Sequence, residues 1–167
     1  MPRRPNATPP VVGKPALLRP LAGVPPIGPG TGTPDQDVRD RLEMLLAVDE
    51  SLARIVTTLK AMGEYERTVI ILTSDHGYFY GEHGLNEERR LAYEETIRIP
   101  LIVRFPRLAA AGTTPGEMAL SIDLAPTLLD VAGVSPGSAI QGRSLVPVLK
   151  GQATGWRTSF LIEYFSD

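Results

Sequence analysis

The 167-residue sequence contains no cysteine. That excludes a disulfide framework, a thiolate nucleophile and a thiolate-held metal. Histidine occurs only at positions 76 and 83, so imidazole chemistry is confined to one short stretch. Aromatic residues make up 6% of the chain, and neither sign of charge dominates: 17 Lys and Arg stand against 19 Asp and Glu. A formal net charge of −2 argues against a broad nucleic-acid or anionic-membrane footprint. No apolar run approaches the ~20 residues of a bilayer span. Prolines interrupt every early apolar stretch that could form a signal-peptide core. The expectation is a soluble chain without an address of its own, cytoplasmic as it stands.

What is present suits one ordinary domain: 43% hydrophobic and 22% charged residues can build a packed core. The beginning is different in kind. Residues 1–34 are dense in proline and glycine, contain no acid and show no periodicity. Proline removes amide donors and glycine raises the entropy cost of order, so this segment reads as disordered, or as a stretch unrelated to the rest of the chain.

Order is expected from Thr33 onward. Thr33-Pro34-Asp35-Gln36 has the form of a capping box with proline in the first helical position. Val38, Leu42, Leu45, Leu52, Val56 and Leu59 then recur at helical spacing until Gly63 stops the helix. Asp49 falls on the same stripe, where a buried carboxylate would need a partner; a structural contact is favoured over a catalytic role.

Thr68–Thr73 and Ile99–Phe105 are continuous apolar runs, as expected of strands covered on both faces. Glu117–Ile122 reads as a short third strand. Asp123 is placed to cap a helix that Gly133 ends. A short helical turn near Ser144–Gly151 and a final strand from Ser159 complete the order. Strands alternating with helices predict an α/β layered sandwich with a mostly parallel sheet.

In such sheets ligands gather beyond the carboxyl ends of strands. Thr73-Ser74-Asp75-His76-Gly77 occupies that place. Asp75 offers a hard anionic oxygen and His76 a lone pair that suits several divalent metals. Gly77 allows the backbone to pass where a side chain would collide. A polar turn after a strand is the plain alternative. His83 is not at helical zinc-ligand spacing from His76; it is a loop-ordering group or a proton carrier at a pocket rim. Glu94, Glu95 and Arg98 can pair locally. Tyr78, Phe79 and Tyr80 either line a substrate mouth or pack their loop.

The stretch "TSDHGYFYGEHGLNEERRLAYEETIRIPLIVRFP", followed by "SIDLAPTLLDVAGV" and "IQGRSLVPVL", closely resembles the sulfatase family of the alkaline-phosphatase-like superfamily. The helix from Met44 to Ile70 resembles the one before that family's metal strand. The resemblance covers residues 35–167 and implies a partial sulfatase-like α/β domain, an incomplete alkaline-phosphatase-like fold. It implies a metal-dependent hydrolase of sulfuric esters, acting on a small molecule or glycan.

Residue by residue, Asp75 matches a family aspartate that binds the active-site cation, usually calcium. His76 matches the adjacent ligand, often asparagine and sometimes histidine; Ca²⁺ is the expected ion, with Mn²⁺ the alternative because an imidazole suits a transition ion better than calcium does. A family lysine that contacts sulfate falls on Arg89, counting back from Tyr93, in a loop one residue longer than usual. Arg89 would hold a tetrahedral anion by a planar fork of donors; a solvated pair with Arg90 is the alternative. The family nucleophile is a formylglycine made from cysteine or serine, in a Cys/Ser-x-Pro-x-Arg motif. This sequence has neither, so no catalytic residue is assigned and the chain alone is expected to be inactive. A phosphodiesterase or phosphonate-ester hydrolase of the same superfamily, and a non-catalytic binding domain or remnant, remain the other readings.

Overall fold

The computed structural model describes residues 33–82 and 91–163. Its elements are helix α1 (Asp35–Ala61), strand β1 (Ile70–Thr73), helix α2 (Glu94–Ile97), strand β2 (Leu101–Arg104), helix α3 (Leu124–Val131) and helix α4 (Val146–Leu149). Short 3₁₀ turns at Tyr65–Arg67 and Ser121–Asp123 precede β1 and α3. Apart from Thr33 and Pro34, the segment expected to be disordered lies outside the described residues, as do His83, Arg89 and Arg90.

Helix α1 starts one residue later than its capping pattern suggests. Pro34 is the N-cap residue, with extended backbone angles, and its carbonyl accepts the first helical bond, from Val38 N at 3.2 Å. The end follows the sequence closely. Gly63 has φ 70°; its amide donates to Lys60 O, and that of Glu64 to Leu59 O. This is a Schellman closure, and the left-handed residue it needs is glycine. Helix α3 ends in the same way at Gly133, with φ 71° and a hydrogen bond donated by Val134 N back to Leu129 O.

The stripe on α1 is only half covered. Val38, Leu52, Val56 and Leu59 are half-buried, but Leu42 and Leu45 are exposed. Asp49 is exposed too, so water solvates it and the partner expected for a buried acid is unnecessary.

β1 and β2 pair in a two-stranded sheet. Both are shorter than the apolar runs that announced them. The strand expected at Glu117–Ile122 does not form: Leu120 N donates to the Asp123 carboxylate at 2.8 Å, and the chain turns into the 3₁₀ segment instead. A strand needs a neighbour for its amides, and this one is engaged locally. Residues 159–163 also lack strand structure, and the rest of that expected strand lies outside the described residues.

The chain divides into two compact units, one of residues up to Tyr65 with Leu72–Leu101, the other of Glu66–Ile71 with Ile102–Asp167. In the second, Phe105, Leu145 and Val148 are buried apolar residues. The Thr127 hydroxyl donates to Asp123 O at 2.6 Å and accepts from Leu145 N at 2.8 Å, tying the loop before α4 to α3. Asp123 sits at the N-cap position of α3, but its side chain does not cap that helix. It is fully buried and accepts from Leu120 N, Arg143 N and both Nη atoms of Arg157.

Candidate metal centre

β1 ends at Thr73, and the chain leaves it through Ser74, Asp75 and His76 without regular structure. Local bonds give this turn its shape. Asp75 Oδ1 accepts from His76 N at 2.9 Å, and the Ser74 hydroxyl lies 3.0 Å from His76 O and 3.3 Å from Asp75 Oδ1. Asp75 Oδ2 and His76 Nε2 are then 3.5 Å apart. The Asp75 side chain is 83% exposed and that of His76 39% exposed. Chain adjacency after a strand therefore does bring the two expected ligands together.

The other ring nitrogen settles the tautomer. His76 Nδ1 is 2.7 Å from Gly77 O, and a carbonyl only accepts, so Nδ1 carries the proton. Nε2 presents its lone pair when the ring is neutral. Metal-binding imidazoles are commonly oriented by such a bond from the far nitrogen. The carboxylate is equally prepared: the His76 backbone amide foremost, then its own amide, hold Asp75 below the usual carboxylate range. Desolvation opposes this, while the imidazole and the Ser74 hydroxyl add to it more weakly. A carboxylate oxygen and an imidazole nitrogen 3.5 Å apart are close enough for one divalent cation at about 2.0–2.5 Å from each. Among the described residues no group of three or more His, Cys, Asp or Glu is gathered for a metal.

Gly77 is needed for close approach. A Cβ there would lie 2.0 Å from Glu95 O, and Gly77 N donates to Thr96 O at 2.8 Å. Thr96 is itself buried, its hydroxyl bonded to Leu91 O and Tyr93 O. The obstacle is backbone and cannot swing aside. Gly77→Ala is therefore expected to cost roughly 1–3 kcal/mol, read as a lowered urea midpoint at unchanged m-value. An unshifted midpoint would show that the α2 backbone yields freely.

The aromatic run divides its labour. Phe79 is fully buried and meets Tyr93 edge-on, with ring centroids 5.6 Å apart at 76°. Tyr78 and Tyr80 are half-buried, 5.2 Å apart, with the Arg41 guanidinium 3.9 Å and 5.7 Å from their ring centres. Nothing in the sequence announced Arg41, which lies on α1 far from the loop in chain order. Glu94 and Arg98 form the expected exposed pair at 3.4 Å. A cavity of about 440 Å³ lined by residues including Pro126, Asp130 and Ser144 lies in the other unit and includes neither Asp75 nor His76.

Comparison with known proteins shows the family to which the chain belongs. Residues 81–167 match the family model described as N-sulphoglucosamine sulphohydrolase, C-terminal. An N-acetylglucosamine-6-O-sulfatase of Bacteroides thetaiotaomicron is 44% identical over 133 residues, 78% of this chain and 24% of that protein. A solved complex of the protein BT4656 with its substrate D-glucosamine-2-N,6-O-disulfate is 46% identical with a TM-score of 0.64, covering 68% of this chain and 23% of the other. A phosphonate monoester hydrolase from Silicibacter pomeroyi is 37% identical with a TM-score of 0.57, covering 66% and 22%. The chain spans a quarter or less of the length of curated relatives that it matches.

Proposed function

Because the chain belongs to the sulfatase family of the alkaline-phosphatase-like superfamily, we propose that it is part of a metal-dependent hydrolase of sulfate esters. Asp75 and His76 supply two of the cation's ligands. The observation that carries this reading is the 3.5 Å approach of Asp75 Oδ2 to His76 Nε2 with Nδ1 already engaged by Gly77 O. The β1–β2 pair is antiparallel, and a larger, mostly parallel sheet is proposed for the whole protein from the family resemblance alone.

When bound, the cation supplies fixed positive charge against the oxygens of the sulfate as the ester bond breaks. The chain's own residues prepare for that. Asp75 stays ionised to below the ordinary carboxylate range, so its charge is available at neutral pH. His76 is held in one tautomer, and Gly77 keeps the turn against α2. Mn²⁺ and Ca²⁺ both suit an oxygen donor, and the imidazole tilts the preference toward Mn²⁺. Arg89 is proposed as a contact to the sulfate, its fork of donors matching two oxygens of a tetrahedral anion. The nucleophile is assigned to no residue of this sequence, which has no cysteine and no Ser-x-Pro-x-Arg.

The substrate class is proposed from the relatives: a 6-O-sulfated glucosamine, the chemistry of both the Bacteroides sulfatase and the solved complex. The likeness to phosphonate monoester hydrolases supports the second reading, at lower identity. An intact enzyme carrying this sequence is expected to turn over glucosamine 6-O-sulfate in preference to an aryl phosphonate monoester. The purified 167-residue chain, metal-loaded, is expected to turn over neither. Preference for the phosphonate would favour the second reading, and multiple turnover by the chain alone would refute the assignment of the nucleophile elsewhere.

A further inference from the structure

Local bonds shape the Ser74–His76 turn, while the residues that follow it, Gly77 to Tyr80, are gripped from outside. Two grips come from the α2 side: Gly77 packed on Glu95 and Thr96, and Phe79 buried against Tyr93. A third comes from α1. Successive side chains of an extended segment point to opposite sides, so Phe79 faces inward while Tyr78 and Tyr80 turn together to the other side. There the Arg41 guanidinium lies 3.9 Å from the Tyr78 ring centre and 5.7 Å from that of Tyr80. Tyr80 N is also held, donating to the buried Glu82 carboxylate at 2.6 Å.

We propose that Arg41 is a positioning residue for the metal pair, clamping Tyr78 and Tyr80 so that the Gly77 carbonyl stays under His76 Nδ1. The inference rests on Asp75 and His76 being metal ligands. Its logic is one of leverage. Tyr78 follows Gly77 directly, and the peptide joining them carries the carbonyl that selects the His76 tautomer. Release of the Tyr78 ring frees that peptide to rotate, and the imidazole loses its orienting acceptor. An arginine suits the task because its flat guanidinium stacks on aromatic faces while its charge stays in water.

The test uses the full chain and Mn²⁺ alone. Two histidines make imidazole NMR tractable, and His76→Gln assigns the resonances. In the unaltered chain the ring nitrogens of His76 should report the Nδ1–H form, and Mn²⁺ should broaden them at low occupancy. Arg41→Met is expected to shift the ring toward a tautomer mixture and weaken Mn²⁺ binding about tenfold, the low end for partners that orient a ligand. Its urea midpoint should change little, because Arg41 is exposed. Arg41→Lys, which keeps a cation over the rings, should restore most of the affinity. Tyr78→Leu should reproduce the loss, and the double variant should be no worse than either single one. If Arg41→Met leaves tautomer and affinity unchanged while Asp75→Ala abolishes Mn²⁺ binding, the clamp is refuted and the metal site stands. If Asp75→Ala binds Mn²⁺ as the unaltered chain does, the metal assignment itself fails.

Discussion

Replacing Arg157 by methionine is expected to lower the unfolding free energy by about 3–5 kcal/mol at pH 7, the cost of stranding one member of a buried ion pair. Asp123 is wholly buried and Arg157 is 13% exposed, so neither charge can turn to water for compensation. The guanidinium meets the carboxylate with both Nη atoms, while Leu120 N and Arg143 N donate at 2.8 Å each. Methionine fills the space of the aliphatic stem and leaves the anion with two amides.

The pH dependence separates this mechanism from lost packing. Burial pushes the Asp123 carboxyl up, but Arg157, then the Arg143 and Leu120 amides, outweigh it and hold the group below its ordinary value of 3.8. A carboxyl lowered in the folded state contributes stability that is present above its unfolded value and lost as pH falls through the folded one. Without Arg157, burial dominates and Asp123 takes up a proton more readily. The deficit of Arg157→Met should thus be greatest near neutrality and shrink by pH 4, where the pair in the unaltered chain still persists. Urea denaturation at pH 7 and pH 4 measures both. A deficit under about 1 kcal/mol at pH 7, or an equal one at both, would mean that Asp123 does not depend on Arg157 for its charge.

That pair also marks where sequence reading stops. Asp123 was expected to cap α3, an inference from local pattern, and its position is right while its side chain does something else. Its partners at Arg143 and Arg157 are distant in the chain, and no periodicity encodes them. Helix ends were legible because Gly63 and Gly133 terminate helices by backbone geometry that needs no tertiary partner. The third strand was not legible, because β-propensity does not say whether a neighbouring strand waits. Hydrophobic spacing named the apolar face of α1 but not what covers it, which is why Leu42, Leu45 and Asp49 came out exposed. At the site, Asp75 and His76 were visible as residue types at a strand end. The bonds that prepare them involve the Ser74 hydroxyl and the Gly77 carbonyl, and backbone carbonyls leave no mark in a sequence.

In an intact sulfatase carrying this sequence, Asp75→Asn should lower kcat/KM for glucosamine 6-O-sulfate by about 10²–10³-fold, the usual loss when one element of transition-state charge stabilisation is removed. Asparagine is nearly isosteric and retains an oxygen to accept from His76 N, so the turn should survive. What disappears is the negative charge that the backbone amides keep ionised at neutral pH. If that charge serves to hold the cation, excess Mn²⁺ should recover part of the activity, raising kcat with added metal rather than with added substrate. Arg89→Ala should behave differently in the same assay. It should cost at least about tenfold, or 1.4 kcal/mol, be insensitive to added metal, and fall mainly on the sulfate rather than on the sugar. His76→Asn supplies a third contrast, because an amide oxygen replaces the imidazole nitrogen. It should keep substantial activity and move the preference from Mn²⁺ toward Ca²⁺. Undiminished turnover by Asp75→Asn at limiting metal would remove the strand-end pair from the chemistry, leaving Ser74–Gly77 as a turn that only closes β1.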